Sequence, residues 1–294
     1  MTEAVATPSA AIASRGQFPS SLQLLARHAW YQIVYIVRVP VALFFTIIFP
    51  VMLLILFNAL FGDGVIEAGD GEEWSAQQFY VGGLAAFTAA TATYTNLANM
   101  VPIRRDEGVL KRWRSTPVPT WVYIGGFVVS GFVFALVGTV LMLTMGTIFY
   151  ELQIEWAKMP AAFVTFVVGV CALAALGLAV AALVPQAEAA SAVANATILP
   201  LAFASDIFVV VDEPPRWLEL VGDAFPLKPF VNSFQDCFNP FVDAPAFNWA
   251  NLAFITAWGI VGAAIAVWRF RWEPSTGGSR GRRRRRGGAA ADAA

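Results

Sequence analysis

Six separate stretches of about twenty apolar residues each decide what this 294-residue chain is able to fold into. A bilayer's hydrocarbon core is about 30 Å thick, and a helix rising about 1.5 Å per residue crosses it in about 20 residues. The runs fall at about 41–61, 79–101, 121–149, 161–184, 191–211 and 249–268. A single soluble core of this length has no room for so much apolar surface: 58% of the residues are hydrophobic, and 24 Phe and 10 Trp are among them. The mean hydropathy is +0.63. The sequence therefore predicts an all-α integral membrane protein with six transmembrane helices.

Two of the runs carry features that shape how they pack. Pro50 interrupts the first, where it predicts a kink that neighbouring helices accommodate. Gly82, Gly83, Ala85, Ala86, Ala89 and Ala90 give the second a small-residue face suited to close helix contact. Residues 1–19 hold no apolar segment of the kind a cleavable signal requires, and the first run is too long to be one.

Lys and Arg fix the expected orientation, because cytoplasmic loops carry the excess of them. Sixteen of the nineteen lie before Pro40, in the loop 102–119 or after the sixth run. The remaining three, Lys158, Arg216 and Lys228, fall in connections 150–160 and 212–248, and connection 62–78 carries only acidic charge. Both termini and loop 102–119 are thus expected in the cytoplasm of a multi-pass protein of the plasma membrane, with residues 212–248 as an outward segment.

Ahead of the first run, residues 20–38 place Leu22, Leu25, Ala29, Ile33 and Ile36 at helical spacing, with Ser20 and Gln23 in capping-box register. Trp30, Tyr31 and Tyr35 are rings of the kind that settle at headgroup level. This reads as an interfacial helix lying on the inner face of the membrane. The ends, 1–19 and 273–294, read as disordered. The five arginines Arg282 to Arg286 in the latter are suited to anionic lipid more than to nucleic acid, since no aromatic is interleaved to stack a base.

No catalytic chemistry is legible. Lys111, Lys158 and Lys228 follow Leu, Ala and Leu, so the chain has no GxxxxGK[ST] phosphate loop. The one histidine, His28, excludes an HExxH site and reads as an interfacial side chain. Cys171 and Cys237 have no pairing or zinc-ligand spacing. No cofactor or metal is expected on this chain. Asp206, in "LPLAFASDIFVVV", is the ionisable residue nearest membrane depth, which makes it a candidate for function; a position within reach of outer-leaflet water is the alternative.

The stretch "IRRDEGVLKRWRSTPVPTWVYIGGFVVSG" (103–131) resembles the cytoplasmic loop of ABC type-2 exporter permeases, the membrane subunits of drug-resistance, lipid and polysaccharide exporters. A second match, "ILPLAFASDIFVVVDEPPRWLELVGDAFPLKPFVNSF" (198–234), is similar to that family's fifth span and the outward segment behind it. The chain departs from the pattern at Asp206, where the family usually has a small residue, often Gly.

The resemblance implies a permease, residues 20–272, that pairs with a second copy or a sister permease and binds separate ATPase subunits, which hold ATP and magnesium. Residues 102–116 are then the coupling helix. Pro102 suits a first helical position, and Pro117 and Pro119 end the helix. Ile103, Leu110 and Trp113 are expected to anchor in the ATPase, Arg105 and Glu107 to set register from the rim, and Gly108 to admit a close backbone approach. Pro200, Phe203 and Asp206 are the expected outer gate. An ion-coupled carrier or channel, or a membrane scaffold with no nucleotide dependence, is the alternative. A largely uncharged pathway suits an amphipathic or lipid-like cargo.

Overall fold

A computed structural model describes residues 19–67, 73–184, 186–208 and 215–270. The ends expected to be disordered lie outside these residues, apart from Pro19, as does the run Arg282 to Arg286.

The first helix, α1 (Ser21–Val37), opens with the expected capping box: the Gln23 amide donates to Ser20 Oγ and the Ser20 amide to Gln23 Oε1. Its buried face differs from the expected apolar stripe. His28, Ala29, Gln32 and Ile36 are buried, whereas Leu22 is 72% exposed. The rotation has a steric cause, since α1 lies against Gly125 and Gly126, whose missing side chains leave notches for Leu25 and His28. Trp30, Tyr31 and Tyr35 remain outside, as amphipathic rings should.

The first apolar run comprises α2 (Pro40–Leu43), a π-helical turn (Phe44–Ile48) and α3 (Phe49–Phe61). Pro50 falls in the first turn of α3, where the N–H it lacks costs least, and the irregularity sits in the π turn before it. A short antiparallel hairpin follows, β1 (Val65–Glu67) against β2 (Glu73–Ser75), with Val65 opposite Ser75.

From there a continuous helical path is formed by α4 (Ala76–Ala90), a second π turn (Thr91–Thr95) and α5 (Asn96–Asp106). The expected coupling helix 102–116 is therefore corrected: Pro102 lies inside α5, buried, and is not a first helical residue. The chain breaks at Gly108, whose φ of +74° is reached cheaply only by glycine, and resumes as α6 (Val109–Arg114). The break before "STPVP" falls as expected, with Ser115 Oγ and Thr116 Oγ1 each donating at 2.7 Å to the carbonyls of Arg112 and Trp113.

Two long helices, α7 (Thr120–Phe149) and α8 (Met159–Leu183), match the third and fourth expected spans. The fifth is shorter than expected, because α9 (Ala187–Phe203) stops eight residues before 211 and turns at Ala204 to Asp206. Beyond it lie α10 (Arg216–Ala224), α11 (Leu227–Asp236) and α12 (Trp249–Arg269). Among the described residues four helices are individually long and apolar enough to cross a bilayer: Phe44–Phe61, Thr120–Phe149, Met159–Leu183 and Trp249–Arg269.

The centre of the bundle is α8. A Cβ on Gly177 would stand 2.5 Å from the Tyr94 carbonyl oxygen in the second π turn. Gly169 seats the ring of Phe230 from α11, and on α12 Gly259 and Gly262 lie against Ala172 and against Ala175 and Leu176. Small residues thus let the second π turn and α12 approach α8 backbone to backbone and let α11 seat a ring on it, the form of packing that membrane helices rely on when water supplies no drive between them. Of the four spans α8 is the most buried and Phe44–Phe61 the least.

Candidate functional site

The residues of loop 102–116 gather at one end of the bundle with the flank of α1 and the first turns of α7. Arg105 is 3% exposed, and its guanidinium donates to the carbonyls of Ala181 (3.1 Å) and Val184 (2.8 Å) at the C-terminal end of α8. A cation suits the carbonyl end of a helix. Its neighbour Asp106, whose carboxylate stands 3.8 Å from Arg105 Nε, accepts from the Ala187 amide at 3.1 Å where α9 begins. Two consecutive side chains therefore clasp both ends of the turn joining α8 to α9, with opposite charges matched to opposite helix poles.

Arg104 completes the elbow. Its guanidinium stands 4.4 Å from the centre of the Tyr35 ring on α1 and pairs with Glu107 at 3.0 Å. The expectation that Leu110 anchors in a partner is corrected. Leu110 is fully buried in the chain's own core with Leu97, Val101, Tyr123 and Phe127. Trp113 is half-buried, its ring 5.0 Å from both His28 and Tyr123. Gly108 supplies the left-handed backbone of the break, and no atom of the chain lies within 4 Å of where its Cβ would stand. Ile103, Glu107, Lys111, Arg112 and Arg114 are exposed and form the surface open to a partner.

His28, read from sequence as interfacial, is instead the centre of this junction. Its ring stacks on Tyr123 at 4.9 Å, meets Phe127 edge-on at 5.5 Å and fills the notch of Gly126. Burial pushes its pKa down to about 4 from the usual 6.5. The unfolded chain therefore binds the proton more readily, and the junction loses stability as pH falls from about 6.5 towards 4. The thermal midpoint of the detergent-solubilised protein is expected to drop over that window, and His28→Leu is expected to flatten the drop. An unchanged slope in the variant would mean that other groups set it.

At the opposite end, the expected gate residues lie around the C-terminus of α9. Pro200 and Phe203 are exposed, and the Phe203 ring is 5.0 Å from Phe208, which also meets Phe57 and Phe87. Asp206 is half-buried in the turn with φ of +55°. Asp is one of the few non-glycine side chains that tolerate that left-handed conformation. Lys158, buried to 1%, donates from Nζ to Glu155 Oε1 and to the Asn239 carbonyl, both at 2.8 Å, and so ties the α7–α8 connection to the end of α11.

Between the two ends, both π turns border one cavity of about 270 Å³, lined by Thr46, Thr91, Thr95, Asn96 and Asn99 and otherwise by apolar side chains such as Ile36, Phe45, Met100 and Ile103. Hydroxyls and amides are its polar groups, with no charge. Sequence reading missed it, although the polar stripe at 91, 95 and 99 stood at helical spacing within the second run.

An α-helical bundle with four helices long and apolar enough to cross a bilayer, joined at one end by a charged elbow, is that of a multi-pass membrane protein. The chain belongs to the ABC-2 type transporter family, whose model matches residues 23–239. The daunorubicin resistance ABC transporter permease protein DrrB1 of Streptomyces coeruleorubidus is 24% identical over 245 residues, covering 74% of this chain and 76% of the relative. The inner membrane transport permease YadH of Escherichia coli is 23% identical over 202 residues, covering 68% and 78%.

Proposed function

We propose that this chain is the permease of an ATP-driven exporter, moving an amphipathic or lipid-like molecule outward through a pair of permeases. ATP and magnesium reside on a separate ATPase subunit, and both permease termini lie in the cytoplasm of the plasma membrane. Six spans are then formed by Phe44–Phe61, the path 76–106, α7, α8, α9 and α12. The distribution of Lys and Arg supports the orientation. The names of the two relatives support an inner-membrane transport role and a drug-like cargo.

The observation that carries this reading is the clasp of Arg105 and Asp106. A push on the exposed rim of the elbow passes through rigid, buried contacts to the ends of α8 and α9, and through α1 to α7. Such a junction is what an external motor requires. The uncharged cavity beside the π turns supplies hydroxyls and amides for the polar part of an amphiphile. A carrier driven by ions is less well supported, because between their first and last turns these six paths carry charge only at the elbow. On this reading Asp206, Pro200 and Phe203 stand at the outer mouth.

The test uses the permease co-expressed with its ATPase and inverted membrane vesicles, with daunorubicin as the probe. Ile103→Asp combined with Glu107→Arg alters the open rim and leaves the buried clasp in place. ATP-dependent uptake and co-purification of the ATPase are each expected to fall at least tenfold. Full retention of both would remove the coupling role from this elbow.

A further inference from the structure

A cleft of about 430 Å³ runs between the first turns of α7, the middle of α8 and the last turns of α12, lined by Thr120, Ile124, Ala175, Leu178, Ala266 and Phe270. It exists because α12 is held against α8 by Gly259 and Gly262, while beyond them the small side chains of Ala263 and Ala266 leave the space towards α7 unfilled. Apart from the Thr120 hydroxyl at its mouth the named lining is apolar. The two elements that end beside that mouth carry exposed basic side chains. Arg269 is exposed in the last turn of α12, and exposed Lys111, Arg112 and Arg114 lie on α6, which the contact of Trp113 with Tyr123 holds beside the start of α7. No carboxylate occurs between Val109 and Thr120 or within α12. Trp121 and Trp268, 50% and 89% exposed, stand at the same level, as rings do at a headgroup boundary.

We propose that this cleft holds an acyl chain of one anionic glycerophospholipid, whose phosphate is met by Arg269 and the basic side chains of α6. The inner leaflet as its source rests on the orientation proposed above. The chemistry selects this occupant. An apolar slot asks for a chain of methylenes, a rim of four cations asks for an anion, and lipid headgroups of this sign are bound in basic pockets at the cytoplasmic ends of membrane helices. The arginine run Arg282 to Arg286 is a poor occupant, since its charge would be repelled by the same rim.

Native mass spectrometry of the full-length protein tests this, titrating phosphatidylglycerol against phosphatidylcholine. Because neither ATP nor an ATPase is present, the result stands or falls separately from the transport reading. One phosphatidylglycerol is expected to bind at least tenfold more tightly than phosphatidylcholine. Arg269→Gln should weaken it about fivefold, and loss of all four cations about a hundredfold or more. Ala266→Phe, which fills the slot and leaves the charges, should also weaken it at least tenfold; if that variant does not fold, Ala263→Phe on the open wall serves instead. Equal binding of the two lipids overturns the proposal. So does full binding by the filled-slot variants, or loss of binding when Arg282 to Arg286 are all changed to Gln in an otherwise unaltered chain.

Discussion

Gly177→Ala is expected to lower the thermal midpoint of the protein by several degrees, and Gly177→Leu to prevent it from folding. The added methyl would stand 2.5 Å from the Tyr94 carbonyl oxygen and 3.1 Å from its Cα, and neither is a flexible side chain that can swing away. Either α8 or the second π turn must shift, and forcing extra atoms into a packed core typically costs about 1–3 kcal/mol. Gly138→Ala provides the internal comparison. Its new methyl would meet Thr88 Cγ2, the end of a side chain, so its effect is expected to be smaller. Fluorescence-detected size exclusion after heating ranks the three proteins, and a midpoint for Gly177→Ala at or above that of the unaltered chain would show that the contact is not tight.

Arg105→Leu is the second large effect. It strands the carbonyls of Ala181 and Val184, and hydrogen bonds to a charged group contribute about 1.5–3 kcal/mol each. Beyond a lower midpoint, transport is expected to fall at least tenfold while the ATPase subunit continues to hydrolyse ATP, because the elbow still presents its rim but no longer grips α8. Arg105→Lys keeps the charge but not the fork, and is expected to recover only part of the loss. Asp106→Asn retains an oxygen for the Ala187 amide and should be mild. If Arg105→Leu lowers hydrolysis and transport in equal proportion, the residue serves stability alone.

The apolar runs located the long helices because membrane burial writes itself into every residue of a span. α7 and α8 fall within a few residues of expectation for that reason. The places where the reading went astray are those where backbone geometry rather than hydropathy decides. Pro102 looked like a helix start, but α5 simply runs through it. Asp206 looked like a charge inside a span, yet α9 ends at Phe203 and Asp206 lies in the turn beyond it. Leu110 and His28 sit in polar neighbourhoods of the sequence. Leu110 is buried by the helices on either side of its own loop and His28 by α7, about a hundred residues on, which no local pattern reports. The small-residue face predicted on the second run was legible, and its Ala and Gly residues are indeed buried.

The arrangement around α8 also bears on how such a protein changes over generations. The buried half of that helix is fitted to particular neighbours, so a larger side chain there is expected to cost stability unless the neighbour changes too. The first span is less constrained: Leu54 and Asn58 are buried, but Phe45, Ile48, Met52, Ile55 and Leu56 are exposed, and Phe45 and Thr46 line the cavity beside the π turns. Mutations can accumulate on that side one at a time. A lineage acquiring a new cargo would thus be expected to rewrite residues 44–61 first while leaving 159–183 nearly untouched.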